Sequence, residues 1–165
     1  MSDRPSRLWK EMPVEKRVAA ADAFWRDTES AEIQTQHAEA LLMLARRLNF
    51  RPKTLQGLSI ERRAKHLAQV GDVSDPIATR ALIAYHFAVK RPLMAAFLDA
   101  LGIAHENGLI ADESLAAPSA ERIAAAATAV RSSFDAGDVD LYLRTLAALD
   151  GETWANLAPL LTPAH

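Results

Sequence analysis

Eight basic side chains within 21 residues form the group best suited to chemistry in this sequence. They are Arg46, Arg47, Arg51, Lys53, Arg62, Arg63, Lys65 and His66, with Glu61 as the only acid among them. Ser59 lies inside the group and is a typical N-cap residue, so the N–H groups and dipole of the helix that follows could help to bind an anion. The pattern fits a phosphate, a nucleic-acid backbone or an acidic protein surface.

The same pattern is also typical of the solvated faces of two helices, because lysine and arginine are normally exposed. Aromatic residues for base stacking are scarce, and Phe50 is the only one beside the basic side chains. A helix-turn-helix over residues 60–91 is disfavoured, since the connection from Gly71 to Asp75 exceeds the short turn of that motif and the second helix is too apolar to read a groove. A regulatory or nucleic-acid-associated module that uses this basic group is therefore the second hypothesis.

A smaller polar group could line a pocket and consists of His86, His105, Glu106 and Asn107. His86 shares a narrow polar strip with Lys90, whose ammonium would disfavour a bound cation. The residues 105–107 are also ordinary turn formers. The chain has no cysteine and no H-E-x-x-H motif, so we expect no metal and no cofactor.

Known enzyme signatures are missing from the sequence. It contains no G-x-S-x-G motif, no Walker A loop and no G-x-G-x-x-G motif. Whether the chain is an enzyme is uncertain, and a non-catalytic role is favoured. An active site assembled from distant residues is the third hypothesis. His37 lies on the apolar stripe of its helix and is interpreted as a hydrogen-bonded core residue.

The elements that must position these residues are predicted to be helices. Of the 165 residues, 50% are hydrophobic and 24% charged, which is ordinary for a globular protein. Alanine is frequent and β-branched residues are sparse, which favours helix over strand. Periodicity predicts seven or eight helices with short loops: an all-α, single-domain bundle with possible subdomains 1–110 and 115–165. Helices are predicted from Pro13, over 31–48, over 60–70, from Asp75, over 92–101, after Ser119, over 139–149 and over 152–161.

Residues 76–101 are the most apolar part of the chain and predict a buried central helix. Asp75 would cap its start, and Pro92 would break it between residues 91 and 92. Gly102 would end the second half as a left-handed cap residue. Charged side chains and Pro92 interrupt the stretch, so no membrane span is predicted. Residues 103–118 are expected to be an irregular connection.

Charge is distributed unevenly along the chain. Residues 1–91 carry 16 Lys and Arg against 11 Asp and Glu, whereas residues 92–165 carry 3 against 10. Such polarity indicates an anionic partner for one half or complementary self-association. The first residues resemble no signal peptide, so we expect a cytoplasmic protein. The favoured hypothesis is a protein that acts through a protein partner or through self-association, with a homodimer possible.

Overall fold

The computed structural model describes residues 3–29, 31–112 and 114–161, and most of these residues are in helices. The α-helices are α1 (Pro5–Glu11), α2 (Val14–Arg26), α3 (Ala31–Leu48), α4 (Pro52–Gln56), α5 (Ile60–Ala68), α6 (Asp75–Val89), α7 (Arg91–Leu101), α8 (Ala120–Arg131) and α9 (Ala136–Leu149). A two-stranded hairpin, β1 (His105–Glu106) and β2 (Leu109–Ile110), and a final 3₁₀ helix, Ala155–Leu160, complete the described elements. The all-α prediction is confirmed.

The chain forms two compact units. The first comprises residues 5–88 and is called the 5–88 unit; it contains α1 to α5 and nearly all of α6. The second, the 89–161 unit, also includes residues 3 and 4. The division falls at residue 89, whereas the sequence suggested possible subdomains that meet between residues 110 and 115. The single-domain interpretation stays a prediction.

Two serine N-caps appear where the sequence predicted them. The Ser59 hydroxyl accepts a hydrogen bond from the Arg62 backbone N–H at 3.2 Å, and the Ser119 hydroxyl accepts one from the Arg122 N–H at 3.3 Å. Each bond satisfies a donor of the first helical turn that has no partner within the helix. Gly102 ends α7 in the left-handed conformation with φ of 70°, as predicted.

The start of α6 differs from the prediction that Asp75 caps it. Ser74 does so, because its hydroxyl accepts a hydrogen bond from the Ile77 backbone N–H at 3.4 Å. Asp75 is the first helical residue, and its carboxylate accepts a bond from the Ser6 backbone N–H at 3.0 Å. Asp75 therefore connects α6 to α1, a long-range role that local spacing does not show.

The central helix is broken at Lys90, one residue before the predicted break between residues 91 and 92. Lys90 has φ of −123° and ψ of 20°, and Pro92 lies at the beginning of α7. Proline has no N–H to donate to the preceding turn, but in the first turn of a new helix none is required. None of the helices in the described ranges is by itself long and apolar enough to cross a bilayer, although α6 and α7 together would be by length and composition.

The segment 103–118, predicted to be irregular, contains the hairpin. His105 pairs with Ile110 and Glu106 with Leu109. The turn residues Asn107 and Gly108 have φ of 49° and 92°, the left-handed pair that a tight two-residue hairpin requires. The Asn-Gly dipeptide is a known signal for such a turn, but strands of two residues are too short to show alternation.

Three helix boundaries also differ from the prediction. Helix α5 ends at Ala68 rather than residue 70, because the Val70 N–H closes a tight turn on the Leu67 carbonyl at 3.0 Å. Helix α9 begins at Ala136, capped by the Asp135 carboxylate. The last predicted helix, residues 152–161, is a turn followed by the 3₁₀ segment.

Each unit has its own apolar core with a tryptophan in it. In the 5–88 unit, Trp9 is fully buried and donates its indole N–H to the Val70 carbonyl at 2.8 Å. In the 89–161 unit, the Phe97 ring lies 5.7 Å from the Tyr142 ring and 6.0 Å from the Trp154 ring. Such aromatic contacts add to the stabilisation from area burial.

Candidate binding surfaces

The structure separates the predicted basic group into three sets. Arg46 and Arg47 end α3 and line a cleft, while Arg63 turns toward the core. The third set lies on α4, its N-cap and α5, and consists of Arg51, Lys53, Arg62, Lys65 and His66. We call this third set the basic surface. All sets belong to the 5–88 unit.

Arg63 is the member that faces inward. Its guanidinium carbon lies 5.1 Å from the centroid of the buried Trp25 ring, a cation–π geometry. The same indole lies 5.2 Å from the His37 ring. His37 donates its Nε2–H to the Phe24 carbonyl at 2.6 Å, since a carbonyl only accepts. His37 is therefore a hydrogen-bonded packing residue as expected, and Arg63 contributes to the same cluster.

A ring contact connects the two parts of the basic surface. The His66 ring meets the Phe50 ring edge-on with 6.2 Å between centroids, so the residues just before α4 lie beside α5. Arg62, Lys65 and His66 are three and four residues apart and share one side of α5. Arg51, the N-cap of α4, directly follows Phe50.

The four arginines and lysines of the basic surface are exposed and have no carboxylate partner within the described residues. The nearby acid, Glu61, forms no ion pair with Arg62 or Lys65 in the described residues and has a minor effect on Arg26. The pKa of Arg26 is raised, chiefly by its hydrogen bond and charge interaction with Asp22 and further by the charge of Glu61. Within the described residues, no ion pair therefore neutralises the four cations of the basic surface.

The cleft beside α3 has a volume of about 590 Å³ and a mixed lining. It is lined by Glu39, Leu42, Met43, Arg46, Arg47, Val70, Asp72, Ser74 and Ile77. Leu42 is 50% exposed in the middle of α3, so an apolar side chain lies between the charged residues of this lining. Leu42 was not recognised from the sequence, where its signal is an apolar residue between the charged residues Glu39 and Arg46.

His86 lies on the buried side of α6. It is buried, and its Nδ1–H donates to the Leu82 carbonyl one turn earlier at 2.8 Å. His86 lies in the 5–88 unit, whereas residues 105–107 lie in the other unit. None of these four residues lines the cleft beside α3.

His105 holds the hairpin in place. Its Nε2–H donates to an Asp99 carboxylate oxygen at 2.7 Å, and its Nδ1 accepts from the Gly108 backbone N–H at 3.0 Å. These two bonds fix the tautomer and occupy both ring nitrogens. The Asn107 carbonyl accepts from the Arg91 guanidinium at 2.8 Å, while Glu106 is exposed. The arrangement positions a turn and offers no nitrogen to a substrate.

Within the described ranges, no three or more histidine, aspartate or glutamate side chains are grouped so that they could hold a metal ion. Comparison with protein families, with curated proteins and with solved structures finds no match to this chain.

Proposed function

We propose that this chain is a binding protein that holds an acidic partner protein on its basic surface. The observation that carries the proposal is the set of four exposed cations, Arg51, Lys53, Arg62 and Lys65, without carboxylate partners in the described residues. Cations that serve only solubility are commonly interspersed with acids, whereas a continuous patch of one sign attracts an oppositely charged partner.

The energetics suit recognition by several weak contacts. A single exposed ion pair contributes roughly 0.2–1 kcal/mol, so a patch of this kind mainly speeds and orients association. Phe50 is 41% exposed at the edge of the patch and supplies an aromatic contact. Aromatic residues and arginine are enriched in protein interfaces, which makes this combination typical of a protein-binding surface.

Nucleic acid is the second candidate, because the same cations and the N-terminus of α5 would suit phosphates. Binding of single strands relies on bases stacked on aromatic side chains. The described part of this patch offers the Phe50 ring and the His66 ring beside it, which are few rings for a run of stacked bases. A protein partner, which needs no stacking platform, therefore fits better.

The test is a fluorescence anisotropy titration of labelled poly-L-glutamate of about 20 residues. We expect binding at low salt that weakens at least about 10-fold between roughly 20 and 200 mM NaCl, because exposed charges are screened. The triple variant Arg51→Gln/Arg62→Gln/Lys65→Gln should weaken binding about 10-fold, since it removes three of the four unpaired cations. Complete absence of poly-L-glutamate binding overturns the proposal.

The matched control is Arg7→Gln/Arg26→Gln/Arg131→Gln, which changes the net charge equally at exposed positions elsewhere. It should leave the affinity nearly unchanged, and an equal loss in both triple variants would mean that only net charge matters. An oligothymidylate of similar length is titrated in parallel. If it binds more tightly than poly-L-glutamate, the nucleic-acid candidate replaces the proposal.

A further inference from the structure

The exposed side of α3 carries an acid, an apolar residue and a base in that order. Glu39 and Arg46 are seven residues apart, so they lie on the same side of the helix about 10 Å from each other. Leu42, 50% exposed, and the partly exposed Met43 lie between them. Neither Glu39 nor Arg46 has an ion-pair partner among the residues described. We call Glu39, Leu42, Met43 and Arg46 the α3 face.

This order is self-complementary under a two-fold rotation. If two copies of α3 pack antiparallel around an axis between Leu42 and Met43, Glu39 of each copy lies opposite Arg46 of the other. Leu42 of each copy then lies opposite Met43 of the other, so both ion pairs flank an apolar centre. An isologous interface requires this kind of match, because the same patch must complement itself.

We propose that the α3 face is the interface of a homodimer in which two α3 helices pair antiparallel. The α3 face is charge-balanced, with one carboxylate and one guanidinium, which separates it from the uniformly positive basic surface. A uniformly acidic partner would meet Glu39, and a uniformly basic one would meet Arg46. A parallel arrangement would place like charges opposite each other, which is unfavourable.

The geometry also sets the strength of the dimer. An α-helix of 18 residues is about 27 Å long, and one helix pair buries less area than a standard stable interface. The apolar part of the α3 face consists of Leu42 and Met43. We therefore expect a dissociation constant of about 1–100 µM, and both ion pairs should matter to it.

The test uses charge reversal and sedimentation velocity over a concentration series. The wild-type protein should dimerise, while Glu39→Arg and Arg46→Glu should each be monomeric, because each places two pairs of like charges across the interface. The decisive sample is an equimolar mixture of the two monomeric variants. Across that heterodimer both pairs become attractive again, so the mixture should dimerise with wild-type affinity to within about 10-fold. The double variant Glu39→Arg/Arg46→Glu should dimerise as well.

Three controls separate the interface from folding and from the proposed function. Gln34→Arg adds a charge to an exposed position of α3 on another side and should remain dimeric. Leu42→Asp should be monomeric, whereas Leu109→Asp, at a leucine that is 55% exposed, should remain dimeric. Circular dichroism confirms that each variant is folded. Arg51→Gln/Arg62→Gln/Lys65→Gln should dimerise normally, so loss of partner binding and loss of the dimer are distinguishable.

Two outcomes overturn the inference. One is a wild-type protein that stays monomeric up to about 1 mM, well above the expected dissociation constant. The other is a dimeric wild type whose charge-reversed variants either remain dimeric on their own, which would place the interface elsewhere, or fail to associate when mixed, which would contradict a pairing held by the charges at positions 39 and 46.

Discussion

The two compact units use their basic side chains differently. In the 89–161 unit, every arginine and lysine from Lys90 onward bonds to another part of the described chain. The bonds run from Lys90 to Asp138, from Arg91 to the Asn107 carbonyl, from Arg122 to the Leu101 carbonyl, from Arg131 to the Leu160 carbonyl and from Arg144 to Asp3. In the 5–88 unit some cations are bonded, such as Lys10 to Asp72 and Arg80 to Glu32, but Arg46, Arg47 and the basic surface have no such bonds among the described residues.

The difference separates cations that stabilise the fold from cations that are available for binding. Several bonds in the 89–161 unit satisfy carbonyls at or beyond a helix end, such as that of Leu101 at the end of α7, or connect distant segments. A cation with no internal partner contributes little to folding. Such a cation is therefore available for recognition, and Arg46, Arg47 and the basic surface place cations of this kind in the 5–88 unit.

The largest expected effect is on the bond between Arg144 and Asp3. The side chains are only 15% and 20% exposed and join at 2.7 Å, so Arg144→Ala leaves a largely desolvated carboxylate without this donor. We expect the free energy of unfolding to fall by about 2 kcal/mol, measured by urea denaturation. Arg131→Ala, at an exposed position in the same unit, is the control and should cost less than about 0.5 kcal/mol. An equal loss of unfolding free energy in Arg144→Ala and Arg131→Ala would contradict the expectation that the more buried bond contributes more to stability.

A second prediction concerns alkaline pH and the same unit. Burial raises the pKa of Tyr142 above the ordinary value near 10, so its phenol keeps its proton longer in the folded protein than in the unfolded one. Its contribution to stability is complete below about pH 10 and is lost as the pH rises toward the folded pKa. Above about pH 10, the free energy of unfolding of the wild type should fall relative to that of Tyr142→Phe. The expected slope approaches about 1.4 kcal/mol per pH unit. Parallel stability curves for the two proteins between pH 8 and about 11.5 would contradict this.

The smallest expected effect on stability is that of removing cations from the basic surface. Arg51→Gln/Arg62→Gln/Lys65→Gln removes no described internal bond of these side chains, so the free energy of unfolding should change by less than about 0.5 kcal/mol. A small gain is expected at low salt, because repulsion within the patch is relieved. Urea denaturation at two salt concentrations measures both. A loss of about 2 kcal/mol would show that these cations are structural and would remove the contrast between the units.

Features of the fold that depend on neighbouring residues in sequence could be predicted. Ser59, Ser119 and Gly102 were identified because capping and left-handed conformation depend on the residue itself. The prediction that Asp75 caps α6 was wrong. Asp75 bonds to Ser6, which lies 69 residues away, and local spacing does not show such a contact. The hairpin was missed although Asn107-Gly108 signals one, since two-residue strands add no pattern of their own.

The candidate surfaces could be predicted only in part. The basic residues were recognisable by charge and density, but the inward turn of Arg63 depends on Trp25, which comes from another helix. The α3 face was not recognisable as an interface, because the exposure of Leu42 depends on which parts of α3 the other helices cover. Sequence periodicity separates a buried face from a polar one. It does not show which apolar residues of a helix remain uncovered once the other helices have packed against it.

The bond between Asp3 and Arg144 has a consequence for the order of events during synthesis. Residues 5–88 are one continuous stretch, so every member of that unit is translated before residue 89. Asp3 precedes them all, yet its partner follows 141 residues later. At about 5–20 residues per second, the ribosome needs roughly 7–28 s to reach Arg144. Asp3 is thus made before any residue of the 5–88 unit and gains its bond to Arg144 after all of them have been made.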